Sequence, residues 1–241
     1  MKHMRIQLGL LVLMCLSAAV ADAQEDASVK QRQLGWNLRF DGGFGNLINP
    51  KAMRNNFYSV GDATAGAFIG IAKGVSLGIT GRYTGFQVSR NASNKNDAIP
   101  QGNGITIFRP IRTTHNMFTP GVSLGYERWI TDYSAFSFNV NVGYSFVSYS
   151  KIPLATPDSV DRKGGNYKAL LVEPAIYFMY FFDEHAAFYL KVSYNQSFAW
   201  FHPELVGLST GEISYQASEL QGQINFMSFG LGFTYSFKRV E

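Results

Sequence analysis

Eight times between residues 34 and 237 the chain falls into a two-residue alternation of bulky apolar and tiny or polar side chains. The last run, SFGLGFTYSF (228–237), sets Phe229, Leu231, Phe233, Tyr235 and Phe237 against Ser228, Gly230, Gly232, Thr234 and Ser236. Successive side chains of a strand point to opposite faces, so each run has one oily face and one nearly bare face. The other runs are 34–44, 63–72, 75–84, 118–127, 135–146, 168–181 and 187–198. Within 135–146, Phe136, Phe138, Val140, Val142, Tyr144 and Phe146 oppose Ser137, Asn139, Asn141, Gly143 and Ser145.

The connections alternate as well. Short ones fall at 72–74, 129–134 and 181–185, and long ones at about 46–62, 90–117, 148–167 and 199–223. Short links make hairpins. A long link between every other pair gathers all the long loops at one end, as in transmembrane barrels with short periplasmic turns and longer outside loops.

Composition decides which face meets protein. In a soluble sandwich the bulky faces point inward and the polar faces meet water. Soluble surfaces carry roughly 25–35 % charged residues, whereas only 16 % of this chain is charged and its polar faces are Gly, Ser, Thr and Asn. Small side chains suit a narrow interior, and the bulky face then meets lipid. Closure pairs every backbone group and leaves no edge in hydrocarbon. The expected fold is all-β: an eight-stranded antiparallel up-and-down transmembrane β-barrel, monomeric, its strands spanning the apolar layer with about ten residues each. Trp36, Trp129, Tyr133, Phe181 and Phe182 near the short turns, and Phe44, Phe86, Phe118, Tyr149, Phe198 and Trp200 near the long loops, are expected to form two girdles at the lipid–water boundaries.

The first residues read as a secretory signal: a basic start (MKHMR), an apolar stretch and a small-residue ending (ADA). Cleavage after Ala23 divides the chain into a signal peptide, 1–23, and a barrel domain, 24–241. Cys15 leaves with the signal, so no disulfide or Cys-based metal site is expected. The remaining chain carries a formal charge of about +3, too mild to argue for nucleic acid.

The sequence resembles the small outer-membrane β-barrels of the OmpA/OmpX type. More narrowly, it resembles the outer membrane protein β-barrel and PorT-like families of Bacteroidota. The resemblance rests on the signal ending ADAQ, the eight amphipathic runs and the terminal FGLGFTYSF, and covers 24–241. It implies an integral barrel in the outer membrane of a Gram-negative bacterium, with both termini periplasmic. A last strand closing on an aromatic, here Phe237 before KRVE, resembles the signal read by the barrel assembly machinery. The family includes anchors, adhesins and secretion-machine parts.

Parity places Arg39, Asp41, Arg82, Glu127, Glu173 and Lys191 in the lumen, three positive and three negative. A buried charge without a partner is costly, so a neutral network of ion pairs is expected. Glu127 lies low, near a periplasmic turn, within reach of water. A polar core that holds the barrel closed is favoured over a gated ion path, because eight-stranded interiors are filled by side chains.

Enzymatic chemistry finds little support. Beyond the signal, the histidines are His115, His185 and His202, none in the His-x-Ser pattern that barrel lipid A deacylases resemble. The DEH at 183–185 sits on a short turn. No phosphate loop, metal spacing or paired carboxylates appear, and no cofactor is expected. The long loops are the better working surface. In 89–115, Lys95, Arg109 and Arg112 outnumber Asp97 and suit acidic lipopolysaccharide, and ITIF (105–108) extends a hairpin above the membrane. The expected role is non-enzymatic: a structural or interaction barrel, held in outer-membrane lipid, with loops that contact an envelope or extracellular protein partner. A small channel, a secretion-machine component and a lipid-modifying enzyme are the rivals.

Overall fold

The last strand finds its partner at the first. In the computed structural model, which describes residues 35–88, 98–101, 105–108, 114–149, 166–200 and 223–237, the glycine-rich terminal run pairs antiparallel with the opening run. The register sets Arg39 opposite Thr234, Phe40 opposite Phe233 and Phe44 opposite Phe229. The two backbones approach so closely that a Cβ on Gly43 would lie 2.0 Å from the Phe229 carbonyl oxygen.

Eight strands close this way: β1 (Asn37–Asn49), β2 (Phe57–Ala72), β3 (Val75–Val88), β6 (Thr114–Thr131), β7 (Ser134–Tyr149), β8 (Asn166–Phe181), β9 (Ala186–Trp200) and β10 (Gln223–Ser236). Around the barrel they run β1-β10-β9-β8-β7-β6-β3-β2, each antiparallel to its neighbours. Two short strands, β4 (Ala98–Gln101) and β5 (Ile105–Phe108), pair as a separate hairpin inside the β3–β6 connection, where ITIF supplies β5. The short turns lie at one end; Gly74 makes the β2–β3 turn with φ +71°, a conformation only glycine adopts freely.

Parity holds around the barrel. Outward side chains are bulky and bare, with Leu231 at 69 % and Ile79 at 68 % exposure, values a water-facing sheet does not sustain across eight strands. Many inward side chains are small or polar and buried, among them Ser123, Ser137, Asn139, Ser145, Ser193, Asn195 and Ser228. This orientation makes the chain a transmembrane barrel.

The strands are longer than the ten residues expected, running from 13 in β1 to 18 in β6. The extra length lies at the long-connection end, where outward positions turn polar at Gln87, Asn116, Ser148 and Lys168. Backbone pairing needs no lipid, so the ladder continues past the oily layer. The first long connection is correspondingly shorter than 46–62. β1 and β2 leave only 50–56, most of it a short helix, α1 (Lys51–Asn56), with Met53 fully buried.

Candidate functional site

The lumen carries the chemistry of this chain in three levels. At the long-connection end, Leu47, Met53, Phe57, Phe86, Met117, Leu171, Ile224 and Phe226 lead an apolar cluster. At the short-turn end a second cluster gathers Trp129, Ala135, Ala175, Tyr177, Met179, Phe181, Ala187 and Tyr189. Ion pairs occupy the middle.

Arg82, half-way along β3, is the hub. Its guanidinium forks onto Asp62 of β2, with Nε donating to Oδ1 at 2.8 Å and Nη2 to Oδ2. Nη1 faces Glu173 Oε1 of β8 at 2.8 Å and also donates to Asn195, while Nη2 donates to Ser228 at 2.6 Å. Glu173 Oε1 lies 3.1 Å from Lys191 Nζ of β9, and Asn141 donates to its Oε2 at 3.0 Å. Lys191 Nζ lies 3.3 Å from Asp41 Oδ1 of β1 and donates to Thr64 at 3.1 Å. The Tyr189 hydroxyl donates to Asp41 Oδ2 at 3.2 Å. An unbroken chain, Asp62–Arg82–Glu173–Lys191–Asp41, thus ties five strands together across the barrel. Its side chains are between 1 % and 6 % exposed.

A second pair stands apart. Arg39 donates to Glu127 from Nη2 and to Asn37 from Nε, and its guanidinium lies 4.4 Å from the centre of the Phe68 ring. Glu127 does not reach water at the short-turn end: its side chain is 3 % exposed and held by Arg39.

Two sequence expectations need correction. The interior holds a fourth carboxylate, Asp62, so its described charges are four negative and three positive. And the aromatics near strand ends do not all face lipid. Trp36, Phe44, Phe118, Tyr133 and Phe182 do, but Trp129 and Phe181 are buried inside with ring centroids 4.6 Å apart. Phe86 and Tyr149 likewise point inward, against His115. These four share the parity of the lumen residues on their own strands, and parity was the signal to follow.

The two described histidines are each held by neighbouring groups. His115 is fully buried among Phe86, Tyr149 and Tyr167, and its Nε2 lies 3.1 Å from the Tyr167 hydroxyl. His185, in the β8–β9 turn, has Nδ1 2.8 Å from the Ser236 carbonyl, while its own carbonyl accepts from the Ser236 amide at 2.6 Å. It clasps the end of β10 as Trp36 does from the other side, where Phe237 donates to the Trp36 carbonyl at 2.8 Å. A His185→Ala variant loses one side-chain bond and should fall by about 1 kcal/mol, read as a lowered urea midpoint in detergent. The Asp183 carboxylate accepts from the His185 amide at 2.9 Å. Among the described residues no group of His, Cys, Asp and Glu could hold a metal ion. Lys95, Arg109, Arg112, His202 and the signal segment lie outside the described residues.

No protein-family model matches the chain. No curated protein matches it either. Among solved structures the barrel is similar to Neisserial surface protein A, at 9 % identity and a TM-score of 0.48, over 84 % of this chain and 97 % of that one. It is also similar to the outer membrane protein OprG from Pseudomonas aeruginosa, at 14 % identity and a TM-score of 0.41, over 86 % and 98 % of the two chains. The outer membrane protease OmpT from Escherichia coli is similar at 9 % identity and a TM-score of 0.38, over 86 % and 95 %. Likeness at this level carries no activity across to this chain.

Proposed function

We propose that this chain is a non-enzymatic barrel of a Gram-negative outer membrane, its termini periplasmic, whose working surface is the set of long external connections rather than the lumen. One observation carries the reading: the ion chain is buried between two apolar clusters that fill the lumen on either side of it. A water-filled pore needs a continuous polar path, and packed Phe86, Met117 and Phe226 above with Trp129, Met179 and Phe181 below do not supply one. The ion chain then serves as a strut that holds the strands in register.

The external connections are 50–56, 89–113, 150–165 and 201–222. Arg109, Arg112 and Lys95 suit phosphate groups of lipopolysaccharide, and the β4–β5 hairpin adds backbone to the same connection. An envelope or extracellular protein is the second class of partner, and the barrel assembly machinery is engaged during biogenesis. Purified barrel in planar bilayers should show no discrete conductance steps. A variant lacking residues 90–113 should still assemble, yet lose whatever lipopolysaccharide or protein co-purifies in mild detergent. Stepwise conductance would favour the channel reading, and altered lipid A acylation on gene deletion would favour the enzyme.

A further inference from the structure

Among the described residues, the charges inside the barrel do not balance. Arg39 and Glu127 neutralise one another apart from the rest. The main chain then has three carboxylates, Asp62, Glu173 and Asp41, served by two cations, Arg82 and Lys191. A net charge sealed in a protein interior inside a lipid layer is strongly disfavoured, so one more positive charge belongs to this set.

Geometry says where it is missing. Asp62 receives two prongs of the Arg82 fork and a hydroxyl from Thr84 at 3.2 Å. Glu173 sits between both cations and accepts from Asn141. Asp41, at the end of the chain, has one charged partner, Lys191, at the longest ion-pair distance in the set, and Lys191 is shared with Glu173. Its other partners are neutral, the Tyr189 hydroxyl and the Thr64 side chain. The groups that face Asp41 are Thr64 and Asp62 from β2, Tyr189 and Lys191 from β9, Glu173 and Tyr177 from β8, and Arg82 from β3. On β10 its register partner is Gly232, and a Cβ on Gly230 would lie 3.6 Å from Asp41 Oδ1.

We propose that the barrel closes around one proton, held on Asp41 beside Tyr189, which makes the polar middle of the lumen neutral. A proton needs no cavity, whereas a metal ion needs several oxygens around a space of its own. Asp41 is an ionised carboxylate in the unfolded chain at neutral pH, so assembly takes up one proton from water. The contribution of this one proton to stability therefore grows as pH falls from neutral toward the ordinary carboxylate range.

Infrared spectroscopy of the purified barrel in detergent at neutral pH tests this. The wild type should show the carbonyl band of a buried protonated carboxylic acid, shifted in heavy water. Asp41→Asn should remove the band, keep the wild-type urea midpoint and flatten its pH dependence. Asp62→Asn should also remove the band, because two carboxylates then face two cations and Asp41 gives up its proton. Lys191→Met should lower the midpoint sharply. No band in the wild type, or a band that survives Asp41→Asn, overturns the proposal. So does failure of Asp41→Asn to fold, since only an ionised Asp41 would be that necessary. A midpoint that depends on sodium against choline, with no band, would give the place to a metal cation and overturn it equally.

Discussion

Arg82→Leu should leave almost no assembled barrel. The side chain it removes makes the fork to Asp62, the contact to Glu173 and hydrogen bonds to Asn195 and Ser228. Breaking one buried ion pair by deleting a partner costs about 3–5 kcal/mol. Here two carboxylates on two strands lose their main cation together, which reaches or exceeds the whole stability of an ordinary domain, about 5–15 kcal/mol, at its lower end. Lys191 cannot compensate, because it is already held by Glu173 and Thr64. Arg82→Lys should fall between wild type and Arg82→Leu, since lysine keeps the charge and loses the planar fork. The readout is gel mobility of unheated against boiled sample, with urea midpoints for variants that assemble. A heat-resistant Arg82→Leu barrel with an unchanged midpoint would show that the ion chain does not strut the fold.

The barrel was legible because its code is local. One bare face and one bulky face per strand follow from residue identity and parity alone, and the same parity put Arg39, Asp41, Arg82, Glu127, Glu173 and Lys191 inside. What parity could not supply is register. Glu127 reads as low and near water until pairing across the barrel sets Arg39 against it. Asp62 lies one step beyond the run 63–72, in a stretch whose alternation breaks off at the register shift between Ser59 and Gly61. Extending the Thr64–Gly66 parity back by one step would have found it. The inward aromatics escape a sequence reading for another reason. Closeness to a strand end says how high a ring sits, not which way it points, and Trp129 and Phe181 close the lumen rather than anchor the barrel in lipid.

Leu231→Lys should destabilise the barrel by about 2–4 kcal/mol, the range for a cation at the bilayer midplane of a transmembrane barrel. Leu231 is the middle of the outward series Met227, Phe229, Leu231, Phe233 and Tyr235, and is 69 % exposed. Its register neighbours, Gly42 and Leu190, offer the ammonium no acceptor side chain. The same substitution at Asn116, in the ring where outward residues turn polar, should cost about 0–1 kcal/mol. The contrast isolates depth in lipid from any general effect of added charge. Urea midpoints in phospholipid vesicles measure both. Were the outward face wetted by water, Leu231→Lys would raise solubility and leave stability nearly unchanged, because exposed leucine to lysine is a mild surface change. Equal small shifts at both positions would mean that the bulky face does not meet hydrocarbon. The sealed interior would then be the core of a water-soluble barrel.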